Sequence, residues 1–313
     1  MTNWQLKTPV VLTIFNRLDN VKTVFAAIRE AKPPKLLVIG DAPRVNRPDE
    51  EEKCAAVRAF VEQQIDWDCE VFKNYSSVNL GPKKRIASGL DWVFDTVEEA
   101  IILEHDCLPD ITFFRFCEEV LNYYRDDKRV MSVCGENLQF GHKRTEYSYY
   151  FSRYYHSWGW ATWRRAWQYY DVDMKLWPQV RDSGLLKDIL EDDRAVKYWE
   201  KHFQLTYEEE IDTWDYQWTL ASWIQSGLTI LPDRNLVSNI GFGPEALNTT
   251  ESRSPYANMP VEPMNFPLKH PPFIIRNTEA DKYTQNTKFD PSLIDWLTRK
   301  VRSKVSECID IEN

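Results

Sequence analysis

The chain has 313 residues, 43% hydrophobic and 28% charged, a balance that suits a folded protein with a sizeable buried core. Its formal charge of -9 argues against a nucleic-acid binder, because a phosphate backbone wants a basic face and here acids outnumber Lys and Arg. No apolar run approaches the ~18 to 20 residues needed to span a bilayer, and the opening Met1 to Lys7 has no signal-peptide core, so the expected location is cytoplasmic.

Thr8 to Ile14 reads as a buried first strand, apolar on both faces, that leaves through Phe15, Asn16 and Arg17. Asp19 or Asn20 is expected to cap a helix with Val21, Val24, Phe25 and Ile28 on one face, ending at Pro33-Pro34. Lys35 to Gly40 is a second strand, running out at Asp41. Pro48 and the acids after it start a helix to about Gln64, since proline preforms the first turn and carboxylates suit the dipole there. Cys69 to Lys73 makes a third strand. Asn79 to Pro82 is a turn that opens a helix with Ile86, Leu90, Val93 and Phe94 inward.

The fourth strand, Ala100 to Leu103, runs into Glu104-His105-Asp106, and Pro109 blocks its continuation. In an extended chain residues two apart share a side, so Glu104 and Asp106 are expected together while His105 points elsewhere. Two carboxylates in one place call for a cation, and a divalent metal with oxygen preference is the simplest one; it would in turn hold a diphosphate. Strands alternating with helices predict an α/β fold with a mostly parallel, Rossmann-like sheet, which binds ligands at the carboxyl ends of its strands. Arg17, Asp41 and the acidic triplet then converge on that edge. Neither Gly-x-Gly-x-x-Gly nor Gly-x-x-x-x-Gly-Lys is present, so phosphates must be held another way, which favours the metal.

Beyond Pro109 the spacing predicts a helix to about Tyr124, a strand over Val130 to Cys134 and another over Tyr147 to Phe151. A turn at Trp158-Gly159-Trp160 and a helix over Ala161 to Tyr170 follow. Two acidic helices fall within 185–210, and Trp214 to Trp218 opens a helix with Leu220, Trp223 and Ile224 inside. Thr229 to Leu231 is a strand. Asn235 to Gly243 is a glycine-ended loop fit to close over a ligand as a lid. From Ser252 to about Phe289 the chain reads as an extended wrapping segment, and Pro291 starts a last helix. The organisation expected is 1–140 as nucleotide-binding half, 141–250 as an aromatic-rich half, and 251–313 as a wrapping segment and helix. The six cysteines show no paired spacing and read as buried free thiols. The 13 Trp, 15 Tyr and 15 Phe cluster after residue 140, where they serve either core packing or sugar stacking.

The segments Val11 to Arg17, Leu103-Glu104-His105-Asp106 and Trp214-Asp215, in that order, resemble GT-A-fold glycosyltransferases, most closely the inverting N-acetylglucosaminyltransferase I type and related bacterial sugar transferases. The likeness covers roughly residues 8–245. It implies that Asp106, last of the acidic triplet, binds Mn²⁺ or Mg²⁺ bridging the donor diphosphate. His105 departs from the family's acidic pattern. The resemblance further implies that Thr13, Phe15, Asn16, Arg17 and Asp41 line the base and ribose pocket, that Glu104 and His105 adjoin the donor, and that Lys84 and Arg85 lie near its phosphates or sugar. Asp215 is the candidate base. Trp158, Trp160 and Arg164 are the candidate acceptor contacts, with His156 either an acceptor contact or structural. The partners implied are a nucleotide-sugar donor, UDP-linked in the nearest resemblance, and a glycan or glycoconjugate acceptor. Two other readings stay open. One is a non-catalytic sugar-binding or assembly module; the other is a sugar-phosphate nucleotidyltransferase, although Ile14 to Arg17 lacks the glycine-rich loop that such an enzyme needs.

Overall fold

The structure, a computed structural model, describes residues 4–243 and 254–290. Strand β1 (Val10–Ile14) is buried throughout, and α1 (Leu18–Ala31) follows it with Val21, Val24, Phe25, Ile28 and Ala31 against the sheet. This helix starts one residue before the expected Asp19 cap: Arg17 is its N-cap, without a side-chain bond. Strand β2 (Lys35–Gly40), α2 (Asp49–Gln63), β3 (Glu70–Tyr75), α3 (Gly81–Thr96) and β4 (Glu99–Glu104) complete the expected alternation. A short strand β5 (Cys107–Pro109), α4 (Thr112–Tyr123), β6 (Val130–Cys134) and β7 (Tyr149–Ser152) come next.

The Trp158 to Tyr170 stretch departs from expectation. Trp160 is not part of a turn but starts strand β8 (Trp160–Trp163), and only the single helical turn α5 (Arg164–Trp167) follows. A buried run of four residues, three of them apolar, fits a strand as well as a helix, and here the gap between β4 and β6 decides. Helices α6 (Trp177–Asp182), α7 (Leu186–Leu190) and α8 (Asp193–Tyr207) form an outlying layer around Trp177, Trp199 and Phe203. They lead to α9 (Asp215–Ile224), β9 (Leu228–Pro232), β10 (Val237–Asn239), α10 (Thr278–Thr284) and a π-helical turn at Gln285–Phe289.

Eight strands form one mixed sheet in the order β3-β2-β1-β4-β8-β6-β9-β7. Strands β1 to β4 are mutually parallel, β8 runs antiparallel to both its neighbours, β9 is parallel to β6, and β7 closes the edge antiparallel. The sheet therefore does not break near residue 140. Helices cover both faces, with one apolar cluster under α1, α2 and α4 and a second under α3, α5 and α9. Cavity-lining polar residues collect where β1, β2 and β4 end. Because β8 runs the other way, the residues before it stand at this edge and those after it stand at the opposite one.

The expected lid is only partly a loop. Residues 237–239 are β10, paired antiparallel with β5 (Val237 with Pro109, Asn239 with Cys107), and this ribbon is buried. Strand β5 likewise shows that the chain resumes a strand, in a separate two-stranded ribbon, that includes Pro109 itself. The tail beyond 254 packs on the body through Asn277, whose N–H donates to Phe151, and through Asp281, which accepts from Ser152 and Arg153. The helix expected from Pro291 lies outside the described residues, as does Cys308. Among the described residues the other five cysteines are free, and no helix is long and apolar enough to cross a membrane.

Candidate active site

Two adjoining chambers open at the carboxyl ends of β1, β2 and β4. The narrower, about 290 Å³, is lined by Thr13, Phe15, Asp41, Arg44, Asn79 and Arg85 among others. The wider, about 630 Å³, includes Arg17, Asp106, Trp158, Asp215, Asn239 and Lys288. Phe15, Arg44, Pro82, Glu104, His105 and Asp212 face both. Together they have the size of a site for a nucleotide-scale ligand.

The narrower chamber is built from strand exits. Register places Thr13 opposite Glu104, so the ends of β1 and β4 lie side by side. Phe15 leaves β1 and carries the Arg44 guanidinium 5.8 Å from its ring centre. Arg44 is locked in an ion pair with Glu50, which is 3% exposed and also accepts from Asn16 Nδ2 at 3.1 Å. That charge partner holds the Glu50 carboxyl below its ordinary range, by hydrogen bonding first, against the opposing effect of burial. Neither Arg44 nor Glu50 belongs to a motif; only the position of Glu50 in the first turn of α2 gave a signal.

Asp41 lines this chamber, but its oxygens are taken up within the chain. It accepts from the N–H groups of Ala42, Leu80 and Gly81 and from Asn79 Nδ2, at 2.8 to 3.2 Å. A carboxylate offers about four lone-pair sites, so its main work here is to fix the turn that opens α3. Burial pushes its pKa up while these bonds pull it back. Arg85 lines the chamber and braces β3 by donating to the Asn74 carbonyl and side-chain oxygens, both at 2.7 Å, while its buried Nε has no partner among the described residues. Lys84 faces solvent and lines neither chamber, because the turn of α3 that brings Arg85 inward carries its neighbour outward.

In the wider chamber, Glu104, His105 and Asp106 all face the cavity. The expectation that His105 points away fails because the strand ends at Glu104 and the next two residues turn. Burial, then the charges of Asp106 and Asp215, raise the Glu104 carboxyl, against a hydrogen bond donated by Trp214. Burial also lowers the His105 imidazole. Asp215 is the first residue of α9 and is not its N-cap, which is Trp214. Its Oδ1 accepts from Thr213 Oγ1 and from the Tyr216 N–H, so Oδ2 faces no in-chain donor among the described residues.

No group of three His, Cys, Asp or Glu side chains is gathered into a metal cage among the described residues. What the chamber does offer is the hard-oxygen pair Glu104 and Asp106 with mutually unfavourable charge. That donor set fits a divalent ion completed by phosphate oxygens and water, the usual mode for Mg²⁺ at phosphate sites. Asp106 is the residue that would hold it.

The acceptor candidates separate. Trp158 lines the wider chamber, with its ring 5.6 Å from Phe242. Trp160 is 0% exposed and stacks on Trp214 at 5.4 Å, so it is core and no ligand reaches it. Arg164 lies past the far end of β8, where its backbone donates to the Glu98 carbonyl at 2.8 Å and its side chain pairs with Glu98. That places it at the opposite sheet edge, away from the chambers. His156 is buried against Glu136 and is structural. Lys288, like Arg44, is a chamber residue that sequence reasoning missed, since its place in the wider chamber depends on contacts across the length of the chain.

No protein-family model matches the chain, and no curated protein matches it. Solved structures that are similar to it include a mannosyltransferase, PcManGT from Pyrobaculum calidifontis, in complex with GDP-Man and Mn²⁺, at 17% identity over 51% of this chain and 45% of that one, TM-score 0.36. S. aureus TarS 1-349 is similar at 10% identity over 74% and 60%, TM-score 0.43. Glucosyl-3-phosphoglycerate synthase from Mycobacterium tuberculosis, in complex with Mn²⁺, UDP and phosphoglyceric acid, is similar at 12% identity over 51% and 56%, TM-score 0.32. The chain spans between 45% and 60% of the length of these three.

Proposed function

We propose that the chain is a nucleotide-sugar-dependent glycosyltransferase of GT-A type that transfers a sugar with inversion to a hydroxyl of a glycan or glycoconjugate. The observation that carries this reading is the meeting of Glu104, Asp106 and Asp215 in one chamber, beside a narrower one of nucleoside scale. An uncompensated carboxylate pair at strand ends suits a metal–diphosphate, and a third carboxylate across the cavity suits proton removal.

The base and ribose of the donor, UDP-linked by the resemblance, occupy the narrower chamber. Phe15 offers a ring face there, and the Asn16–Glu50–Arg44 network fixes the wall. Asp106, beside Glu104, would hold a divalent ion, Mn²⁺ or Mg²⁺, whose positive charge would favour departure of the diphosphate. Asp215 takes the proton of the attacking acceptor hydroxyl at Oδ2, while Thr213 and the Tyr216 N–H orient the carboxylate through Oδ1. Trp158 offers the acceptor or donor sugar an apolar face.

Thermal stabilisation against UDP-, GDP-, CMP- and dTDP-sugars, each with and without Mn²⁺, tests this. A shift with one nucleotide class that chelator removes is the expected result, because a ligand that binds only the folded state raises its stability. Absence of any shift in the folded protein overturns the reading in favour of a sugar-binding module.

A further inference from the structure

Lys288 lies 152 residues beyond Glu136, in the π-helical turn at Gln285–Phe289, yet it lines the wider chamber. Its ammonium stands 4.7 Å from the Trp158 ring centre and 5.9 Å from that of Phe289, and Nζ donates to Glu136 Oε1 at 3.1 Å. Glu136 follows β6 at the ligand edge of the sheet. It is 1% exposed, and the equally buried His156 stands 2.9 Å away through Nδ1, where burial lowers the imidazole pKa and so favours its neutral form; among the described residues Lys288 is therefore the cation that answers Glu136. Burying a carboxylate costs several kcal/mol, roughly, unless cationic and hydrogen-bonding partners answer it, so this pairing fixes where the ammonium sits.

The charge pattern of the chamber gives that placement a consequence. Glu104, Asp106, Glu210, Asp212 and Asp215 face it, against three cationic side chains. Of those three, Arg44 is closed in its pair with Glu50, while Arg17 is anchored through Nη1 to the Gly241 carbonyl at 2.7 Å and keeps further guanidinium N–H groups. Lys288 has three N–H donors and gives one to Glu136. The aromatic faces of Trp158 and Phe289 steady its charge without using up those donors. An anion entering among so many carboxylates needs a cation already in place, and Lys288 has donors to spare for it.

We propose that Lys288 contacts the diphosphate of the donor, and that Glu136 is the positioning residue that holds the ammonium against Trp158 at the chamber wall. The proposal rests on the donor reading above and deepens it: the C-terminal segment completes the donor site. A preplaced ammonium gains electrostatic contact without reorganising when the ligand arrives.

The test is calorimetric binding of inorganic pyrophosphate, UDP, GDP and uridine, all with Mn²⁺, to the parent chain and to Lys288→Met, Lys288→Arg, Glu136→Gln and the double variant Glu136→Gln/Lys288→Met. Lys288→Met is expected to weaken pyrophosphate and the selected nucleoside diphosphate by about tenfold or more, the scale of a charged hydrogen bond, with uridine unchanged. Lys288→Arg should recover part of the loss. Glu136→Gln should weaken pyrophosphate binding in the parent background and add nothing in the Lys288→Met background. Equal loss for uridine and diphosphates, or no loss at all in Lys288→Met, overturns the contact; additive losses in the double variant overturn the positioning role. A parent chain that binds none of the diphosphates overturns the donor reading itself, which is a different outcome from a parent that binds while Lys288→Met binds equally well.

Discussion

Gly241 lies against the Asp106 carboxylate so closely that a β-carbon there would stand 2.0 Å from Oδ2 and 2.7 Å from Cγ. The chain after β10 is held in that place from both sides: the Ile240 N–H donates to the Asp106 carbonyl at 2.8 Å, and Arg17 donates to the Gly241 carbonyl. The constraint is steric, and it falls on the carboxylate assigned to the metal. Gly241→Ala must therefore displace either Asp106 or the segment, at an overpacking cost of about 1 to 3 kcal/mol. The expected outcome is a folded protein whose Mn²⁺-dependent nucleotide binding is weaker by roughly tenfold or more. Calorimetry with nucleotide and Mn²⁺ checks it, and unchanged affinity would show that the segment gives way and leaves the Asp106 carboxylate in place, so that Gly241 sets no limit on the site.

Removing the carboxylate itself is the stronger form of that experiment. Asp106→Ala should abolish the metal dependence of nucleotide binding, leaving the same weak affinity with Mn²⁺ as with chelator. Glu104 would then lose a repelling neighbour, so the fold should hold or gain slightly in stability. If Mn²⁺ still strengthens binding in the variant, the metal is held elsewhere.

Asp215→Asn keeps the side-chain shape and the bonds at Oδ1 but removes proton affinity. Donor binding should persist while transfer falls by ~10²-fold or more, the scale of losing a general base. Steady-state transfer measured beside donor affinity separates the two effects, and near-normal turnover removes Asp215 from that role.

How much of this was legible in the sequence depends on contact range. The buried strands Val10–Ile14 and Val130–Cys134 announce themselves by continuous apolar runs, and the Glu104 to Asp106 triplet by its place at a strand end. Trp214-Asp215 fell in the same chamber because it opens a helix, a local signal. Arg44, Glu50 and Lys288 carried no comparable signal. Their roles come from pairing across 6 and 152 residues of chain, which neither spacing nor periodicity records. Strands β5 and β10, three residues each, are too short for any alternation to show.

Glu50 gives a pH prediction. Its folded-state pKa lies below the ordinary carboxyl value because of Arg44, so the pairing contributes stability above the unfolded-state pKa of about 4.3. That contribution is lost as pH falls through the lowered folded-state pKa. Glu50→Gln should therefore be less stable than the parent near neutral pH, by about 1.5 to 3 kcal/mol for losing a charged hydrogen-bonded partner. The gap should narrow as the medium is acidified below about pH 4. Denaturant unfolding of both proteins across pH 3 to 7 checks it, and a gap independent of pH would deny that the charge of Glu50 matters. Because Glu50 also holds Asn16, nucleoside affinity should fall alongside stability.

Trp158 and Trp160 stand two residues apart on opposite sides of the boundary between site and core. Trp160 is enclosed by Trp214, Trp218, Trp167 and Tyr155, and truncation to Ala would leave a large cavity at the centre of the sheet. A loss of roughly 3 to 5 kcal/mol is expected, seen as a fall in denaturation midpoint, together with any binding defect that unfolding brings. Trp158 instead has one face on the wider chamber, and Gly159, with φ of +66°, turns the chain between them so that one ring faces ligand and the other faces core. Trp158→Ala should cost far less stability, yet weaken diphosphate or acceptor binding, because it removes the ring under the Lys288 ammonium. Melting curves and transfer assays on the two variants should thus show opposite patterns. If Trp158→Ala unfolds as readily as Trp160→Ala while binding in its folded fraction is intact, the ring is core and the acceptor side of the chamber lies elsewhere.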